Sequence, residues 1–321
     1  MMKKIGVLTS GGDAPGMNSA IRSVVRRALF NNVEVWGIHR GYQGLIERDI
    51  EAFTSVSVGG IIQRGGTILR TARSEAFRTP EGRKIAIDNL RNLEIDGLIV
   101  IGGDGSMRGA ELLFEESGIP SVVIPATIDN DMVGTDYTIG FDTALNNILD
   151  AINKIRDTSE SHQRVAVVEV MGRRSGQLAM MSALCCGALT ALIPEIPWTI
   201  EGLCNRVREG QDLGKVYSIV IVAEGAGTGE AIGNEIEQRT GIDVNITKLG
   251  YLQRGGSPSA EDNIMGTRFG AKAIEELVKG KANCLVGIRD GKVMATPYGE
   301  LKNMTREFDR ELYDLTLSLS R

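Results

Sequence analysis

Short continuous apolar runs alternate along the chain with stretches whose apolar residues recur at helical spacing. The run at 5–8 is followed by Ile21, Val24, Val25, Ala28 and Leu29, spaced i, i+3, i+4, i+7 and i+8, which predicts a helix with one apolar face. The run at 97–101 precedes a helix expected to turn Met107, Ala110 and Phe114 inward. A further run at 121–124 leads to a helix with Leu145, Ile148, Leu149, Ile152 and Ile155 on one stripe. The Val- and Ile-rich segments 164–170 and 218–223 lack polar alternation, the pattern of strands covered on both faces. Strands and helices taking turns predict parallel sheets with right-handed crossovers. The fold class is α/β.

The 321 residues are too many for one compact core and suit about two domains. No Pro/Ser linker or low-complexity tract marks a boundary. Changes of character near Gly140 and Tyr251 predict two lobes, with the chain crossing between them more than once. The 40 glycines lie singly or in pairs at strand ends, which argues for tight turns rather than disorder. A net charge of −5 and 5% aromatic residues count against a nucleic-acid partner. Cys185, Cys186, Cys204 and Cys284 show no metal spacing and are expected to be reduced and buried. The apolar run after Lys3-Lys4 is too short for a signal peptide, and the longest runs are strand-sized. A cytoplasmic protein with no membrane contact is expected.

The candidate chemistry gathers where predicted strands end. The first turn, Thr9-Ser10-Gly11-Gly12-Asp13-Ala14-Pro15-Gly16-Met17-Asn18, joins the first strand to the first helix. Backbone N–H groups at such a turn suit a phosphate, although the residues fit neither the dinucleotide fingerprint nor the Walker form. A second turn, Gly102-Gly103-Asp104-Gly105-Ser106, repeats the arrangement and carries a carboxylate with no cation apparent nearby. Asp104 there suits either a helix cap or a magnesium phosphate. A third strand runs into Pro125-Ala126-Thr127-Ile128-Asp129-Asn130-Asp131. If this segment is extended, Asp129 and Asp131 face one side, where one can accept a proton. Arg73 and Arg173 follow apolar or glycine segments and would neutralise charge on a transferred phosphoryl group. Gln-Arg-Gly-Gly occurs at 63–66 and again at 253–256, either by chance or as two anion-contacting turns. Two histidines are too few for a histidine-based mechanism, and Ser175 has no triad context. Phosphoryl transfer is the chemistry these residues share.

These motifs, with Thr135-Asp136-Tyr137-Thr138-Ile139-Gly140-Phe141-Asp142-Thr143-Ala144, Ser161-His162-Gln163-Arg164, 168–173 and 253–258, resemble the bacterial ATP-dependent 6-phosphofructokinase family over essentially the whole chain. The resemblance implies two stacked Rossmann-like domains, with mainly parallel sheets, helices on both faces and the active site in the cleft. Residues 1–139 plus 252–302 would form the larger, ATP-binding domain. Residues 140–251 plus 303–321 would form the smaller, sugar-phosphate-binding one. It also implies a homotetramer whose active site is shared between subunits, with Mg2+ as cofactor and ATP as co-substrate.

Carried over by position, Asp129 would be the base, Asp104 the magnesium ligand, and Thr127 a contact of the transferred phosphoryl group. Gly12, Arg73, Ser74, Gly103, Asp104, Gly105 and Ser106 would hold ATP, with Arg73 and Arg173 stabilising the transition state. Thr127, Ile128, Asp129, Asp131, Met171, Gly172, Arg173, Glu224, Asn245, Tyr251, Leu252, Gln253 and Arg254 would line the sugar site, joined by Arg164 of a neighbouring subunit. Pyrophosphate-using relatives carry aspartate where this chain has Gly105, and lysine where it has Ala126. An aspartate would crowd and repel the α-phosphate of ATP, so ATP is the expected donor. Ala126 also departs from the usual glycine of ATP users.

Five further departures bear on regulation and acceptor. Asn245 and Tyr251 stand where the family has an arginine and a histidine on the sugar 6-phosphate. Losing one charged phosphate bond costs roughly 1.5–3 kcal/mol, or about ten- to a hundredfold in affinity. Weaker fructose 6-phosphate binding or a shifted acceptor preference is therefore expected. Arg22, Arg26, Arg156 and Lys215 match effector-site cations, yet Ser55, Leu189 and Leu213 replace an arginine, a glutamate and a lysine. Control by ADP and phosphoenolpyruvate is expected to be weak or absent. One alternative is a phosphofructokinase-like paralogue with a changed acceptor or a mainly regulatory binding role. Another is a dinucleotide oxidoreductase, which lacks its fingerprint here.

Overall fold

A computed structural model describes residues 2–320 and contains eleven strands. In chain order they are β1 Lys4–Ser10, β2 Glu34–Ile38, β3 Ile50–Phe53, β4 Gly97–Gly102, β5 Ser121–Pro125, β6 Val165–Val170, β7 Thr190–Leu192, β8 Ser218–Ala223, β9 Val244–Lys248, β10 Cys284–Arg289 and β11 Lys292–Pro297. Two compact units emerge. The first holds the chain up to Ile128, then Met132–Asp142 and Arg254–Arg306. The second holds Asp129–Asp131, Thr143–Gln253 and the chain from Glu307 onward. The expected first domain ran unbroken to residue 139, whereas here Asp129–Asp131 packs with the second unit. A hydrogen bond described below gives the reason.

The first unit is built on a seven-stranded sheet in the order β11-β10-β5-β4-β1-β2-β3. Its interior pairs are parallel, and the edge pairs β2/β3 and β10/β11 are antiparallel. Asp290 and Gly291, both at positive φ, join β10 to β11. That is the turn geometry which matches the twist of a hairpin. From β1 the chain moves to one side, to β2, and later returns to the other side, to β4. The carboxyl ends of β1 and β4 thus flank a topological switch point, the usual ligand position in open α/β sheets.

Leu8, Leu45, Leu90, Leu98, Val100, Leu113, Val123 and Leu285 share one buried cluster of this unit. The apolar stripe of the helix Met17–Phe30 is buried at Ile21, Val24, Val25 and Ala28, with Leu29 half-buried. In the helix Asp104–Ser117 the buried face is Ser106, Gly109, Ala110 and Leu113. Met107 and Phe114 lie half-buried at its margins rather than at its centre. The reason is close packing, since a side chain at Gly109 would sit 2.7 Å from the Tyr42 ring.

The second unit is built on the all-parallel sheet β7-β8-β6-β9. Val165, Val167, Val220 and Val222 of its inner strands pack with Leu203, Val207, Ile232 and Ile236 of its helices. All four cysteines are free, and Cys185 is exposed, against the expectation of burial. It falls on the solvent side of the helix Gln177–Cys186, next to buried Cys186. Among the described residues, no helix is long and apolar enough to cross a membrane.

The first helix is held by the helix Ala260–Val278 through small residues. Ser23 Oγ donates to the Thr267 carbonyl at 2.6 Å. A Cβ on Gly270 would lie 2.7 Å from the Ala20 carbonyl oxygen and 2.7 Å from Ser23 Cβ. In an open helix, Gly→Ala stabilises by about 1 kcal/mol. Here Gly270→Ala is expected to destabilise by about 1–3 kcal/mol, the usual cost of overpacking. Urea denaturation measures it, and a stabilised variant would contradict the close approach.

Candidate active site

The two glycine turns predicted at strand ends lie side by side. Ser10 and Gly102 are register partners at the carboxyl ends of β1 and β4, and any side chain on Gly102 would overlap the Ser10 carbonyl oxygen. Gly103 caps the helix Asp104–Ser117, which places Asp104 in its first turn, where the helix dipole favours a carboxylate. Ser106 is buried, and its carbonyl accepts a 2.6 Å hydrogen bond from the Tyr42 hydroxyl. Burial pushes the Tyr42 phenol well above its ordinary pKa, so it remains a donor. Gly105 faces open space, with nothing within 4 Å of where a Cβ would stand.

Other predicted nucleotide residues join these turns. Thr71 Oγ1 donates to the Gly11 carbonyl, which ties the segment carrying exposed Arg73 to the first turn. Ser74 Oγ donates to Gln43 Oε1 at 2.6 Å and accepts from the Phe77 amide. The Arg254 guanidinium reaches the same turn. Its NH1 is 3.8 Å from Asp13 Oδ1 and 2.9 Å from a Cβ built on Gly12. The two Gln-Arg-Gly-Gly segments also meet, because a side chain on Gly65 would collide with the Gly256 carbonyl oxygen. The two segments are therefore in backbone contact at Gly65 and Gly256, both in the first unit.

Asp104 has a cation beside it, against expectation. Arg108, four residues on, places NH2 3.0 Å from its Oδ2, and both side chains are exposed. A cation is therefore close in sequence after all, at the i,i+4 spacing that meets on a helix face. As a metal ligand, Asp104 offers a hard carboxylate oxygen. No group of three or more His, Cys, Asp or Glu able to hold a metal exists among the described residues. The set fits an ion that takes one carboxylate and fills its shell with phosphate oxygens and water, as Mg2+ does.

The segment after β5 differs from the extended form expected. Ala126 is buried and donates to the Gly102 carbonyl at 3.0 Å, and residues 128 and 129 form a turn followed by Asn130 at φ 49°. The turn separates the two aspartates, leaving Asp129 buried and Asp131 exposed. Thr138 Oγ1 donates to the Thr127 carbonyl at 2.6 Å, while Ser175 Oγ donates to the Asp129 carbonyl at 2.9 Å. Ser175 thus fixes Asp129 within the second unit, beside buried Ile128 at the end of the first.

Within the second unit, Arg173 Nε lies 3.9 Å from Asp129 Oδ2. Arg173 is a non-glycine residue at φ 52°, and such positions cluster at functional sites. Its amide donates to Glu224 Oε1 at 2.9 Å, and a side chain on Gly225 would collide with its carbonyl. Gly172 precedes it, and the Met171 amide donates to Gln253 Oε1 at 3.1 Å. Met171, Glu224 and Tyr251 line one cavity of about 240 Å³. Leu252 is exposed, Asn245 is half-buried on β9, and Arg164 NH2 pairs with Asp243 at 3.3 Å.

The predicted effector cations divide between units. Arg22 and Arg26 lie on the helix Met17–Phe30 of the first. In the second, Arg156 donates to the Cys186 carbonyl and Lys215 to the Ser320 carbonyl. Ser55 and Leu213 are exposed, and Leu189 is buried.

The phosphofructokinase family model matches residues 4–277. The chain belongs to the phosphofructokinase family. Among curated members, the ATP-dependent 6-phosphofructokinase of Halalkalibacterium halodurans is 52% identical over 319 residues, 99% of this chain and all of that one. The Clostridium novyi enzyme of the same name matches to the same identity and extent. Among solved phosphofructokinases, the Saccharomyces cerevisiae structure superposes with a TM-score of 0.90 at 34% identity. It covers 99% of this chain and 48% of the yeast chain.

Sequence reasoning missed Ser175, Tyr42 and Gly225, because each acts on a backbone atom of a residue distant in sequence. Ser175→Ala removes the hydroxyl that holds Asp129. Loss of one buried hydrogen bond costs about 0.5–1.5 kcal/mol of stability. Turnover in the phosphofructokinase reaction is expected to fall about two- to tenfold, in line with that energy. Urea denaturation and steady-state assays measure the two effects, and unchanged turnover would remove Ser175 from this role.

Proposed function

We propose that the protein transfers the γ-phosphoryl group of ATP to the C1 hydroxyl of fructose 6-phosphate, giving fructose 1,6-bisphosphate and ADP, the committed phosphorylation of glycolysis. One observation carries the reading above the others. A buried carboxylate, Asp129, has the Arg173 guanidinium 3.9 Å away, so proton acceptor and charge-stabilising cation come as a pair. Full-length likeness to curated ATP-dependent 6-phosphofructokinases supports it further.

The first unit supplies the nucleotide residues Gly12, Arg73, Ser74 and Gly103 to Ser106. The second supplies the acceptor residues Asp129, Asp131, Met171, Gly172, Arg173, Glu224, Asn245, Tyr251, Leu252 and Gln253. Arg254, Thr127 and Ile128 add to the acceptor set from the first unit, and Arg164 does so from a neighbouring subunit of a homotetramer. In the reaction, Asp129 takes the proton of the C1 hydroxyl as that oxygen bonds to the γ-phosphorus and the bond to the ADP oxygen breaks. Arg73 and Arg173 meet the charge spread over the phosphoryl oxygens. Thr127 contacts the group in transfer. Mg2+ held by Asp104 would neutralise the phosphate oxygens of ATP. The open space at Gly105 leaves room for the α-phosphate, which favours ATP over pyrophosphate. The protein works in the cytoplasm, where its four free cysteines stay reduced.

Asp129→Ser is expected to lower kcat by about 10²–10⁴, the usual worth of a positioned base. Folding and ATP affinity should stay near wild type. Assays of purified protein with Mg-ATP or pyrophosphate check this, and turnover that survives the substitution removes Asp129 as the base.

Neutral Asn245 and Tyr251 lower the acceptor affinity, and two of the four effector cations are engaged by this chain's own carbonyls. The fructose 6-phosphate saturation curve should therefore be hyperbolic, with a raised KM, and unchanged by phosphoenolpyruvate. A low KM, or a sigmoidal shift on adding that effector, would overturn this part of the reading.

A further inference from the structure

The cavity lined by Met171, Glu224 and Tyr251 contains an ion pair that the proposed mechanism leaves unused. Glu169 and Lys248 are register partners on β6 and β9, and both line the cavity. Glu169 is buried. Its Oε2 accepts from the Gly229 amide at 2.8 Å at the start of the helix Gly229–Thr240, and its Oε1 meets Lys248 Nζ at 2.7 Å. Both carboxylate oxygens are thus held, and the lysine head is fixed to a rigid strand end rather than swinging in solvent. The Lys248 side chain is 68% exposed, and its head pairs with Glu169. Two of its three N–H groups remain for a ligand.

Charge decides what this does. The cavity contains two carboxylates, Glu169 and Glu224, and Lys248 is the only cation among its lining residues. An anionic acceptor entering beside Glu224 meets repulsion unless a cation offsets it. Asn245, three residues earlier on β9, is neutral and offsets neither carboxylate. At about 240 Å³ the cavity is smaller than the roughly 300–1,000 Å³ of pockets for drug-sized ligands, which suits a sugar better than a nucleotide. The hydrogen bond to Glu169 raises the Lys248 pKa above its ordinary value, so the ammonium stays charged at neutral pH.

We propose that Lys248, anchored by Glu169, is a specificity-determining residue of the acceptor site and binds an oxygen of the sugar phosphate. This rests on the proposed function and adds to it the group that admits an anion to a pocket whose other charged lining residues are carboxylates. The contact is partly screened by solvent, so its worth lies below that of a buried charged bond.

Calorimetric titration of fructose 6-phosphate, together with steady-state assays, tests the idea in wild type, Lys248→Met and Lys248→Arg. Lys248→Met is expected to weaken fructose 6-phosphate binding and raise its KM by about five- to tenfold. The KM for ATP should stay within about twofold, and binding should lose much of its ionic-strength dependence. Lys248→Arg should recover most of the affinity. Because Lys248→Met leaves Glu169 buried without its cation, the double variant Lys248→Met/Glu169→Gln serves if the single one unfolds, with the same loss expected. Fructose 6-phosphate affinity unchanged in a folded variant overturns the assignment. Binding without turnover in wild type overturns the proposed reaction alone, and absence of binding in wild type overturns both.

Discussion

The contact on which the first unit depends is the approach of two backbones at the carboxyl ends of β1 and β4. Gly102 lies so close to the Ser10 carbonyl that no side chain fits between them. That absence brings two helix-opening turns together, and with them the amides and the carboxylate that a phosphate chain and its cation require. The helix Ala260–Val278 acts behind this contact. It packs on the first helix through small residues and holds the first turn from the rear. Burial of the Val/Ile strands supplies the stability, but the glycines set the spacing.

In the second unit the corresponding constraint is a strained turn. Arg173 sits in left-handed backbone, locked by Glu224 on its amide and by the tight passage of Gly225 past its carbonyl. The same turn leads to Ser175, which holds the Asp129 backbone. A buried carboxylate and a cation contributed from distant parts of the chain are thereby set by one short loop. Rigid positioning of this kind lets electrostatics act without reorganisation when charge moves.

Much of this was legible in the amino-acid order. The strands β1, β4, β5, β6 and β8 announced themselves as apolar runs, and the stripe on the helix Met17–Phe30 fell where its spacing put it. The glycine turns were readable because a phosphate site needs that residue type at that place. What escaped was of a different kind. The alternation of Asp129 and Asp131 assumed extended backbone, and a left-handed Asn130 broke it. Arg108 was overlooked beside Asp104, although the i,i+4 rule makes the pair. Ser175 and Gly225 act on backbone atoms of residues about 50 positions away, and Glu169 pairs across strands about 80 apart in sequence. No local pattern encodes such partners before the sheet order is known.

The vacancy beside Gly105 has a consequence for how such a chain can change over time. Gly102 of the same turn is hemmed in by the Ser10 carbonyl, so substitution there puts folding at risk. Position 105 touches nothing, and under the proposed function a new side chain would be felt by the phosphate donor before it was felt by the fold. Donor preference is therefore nearly decoupled from foldability at this one codon. A lineage can explore it by single steps without first passing through an unstable protein.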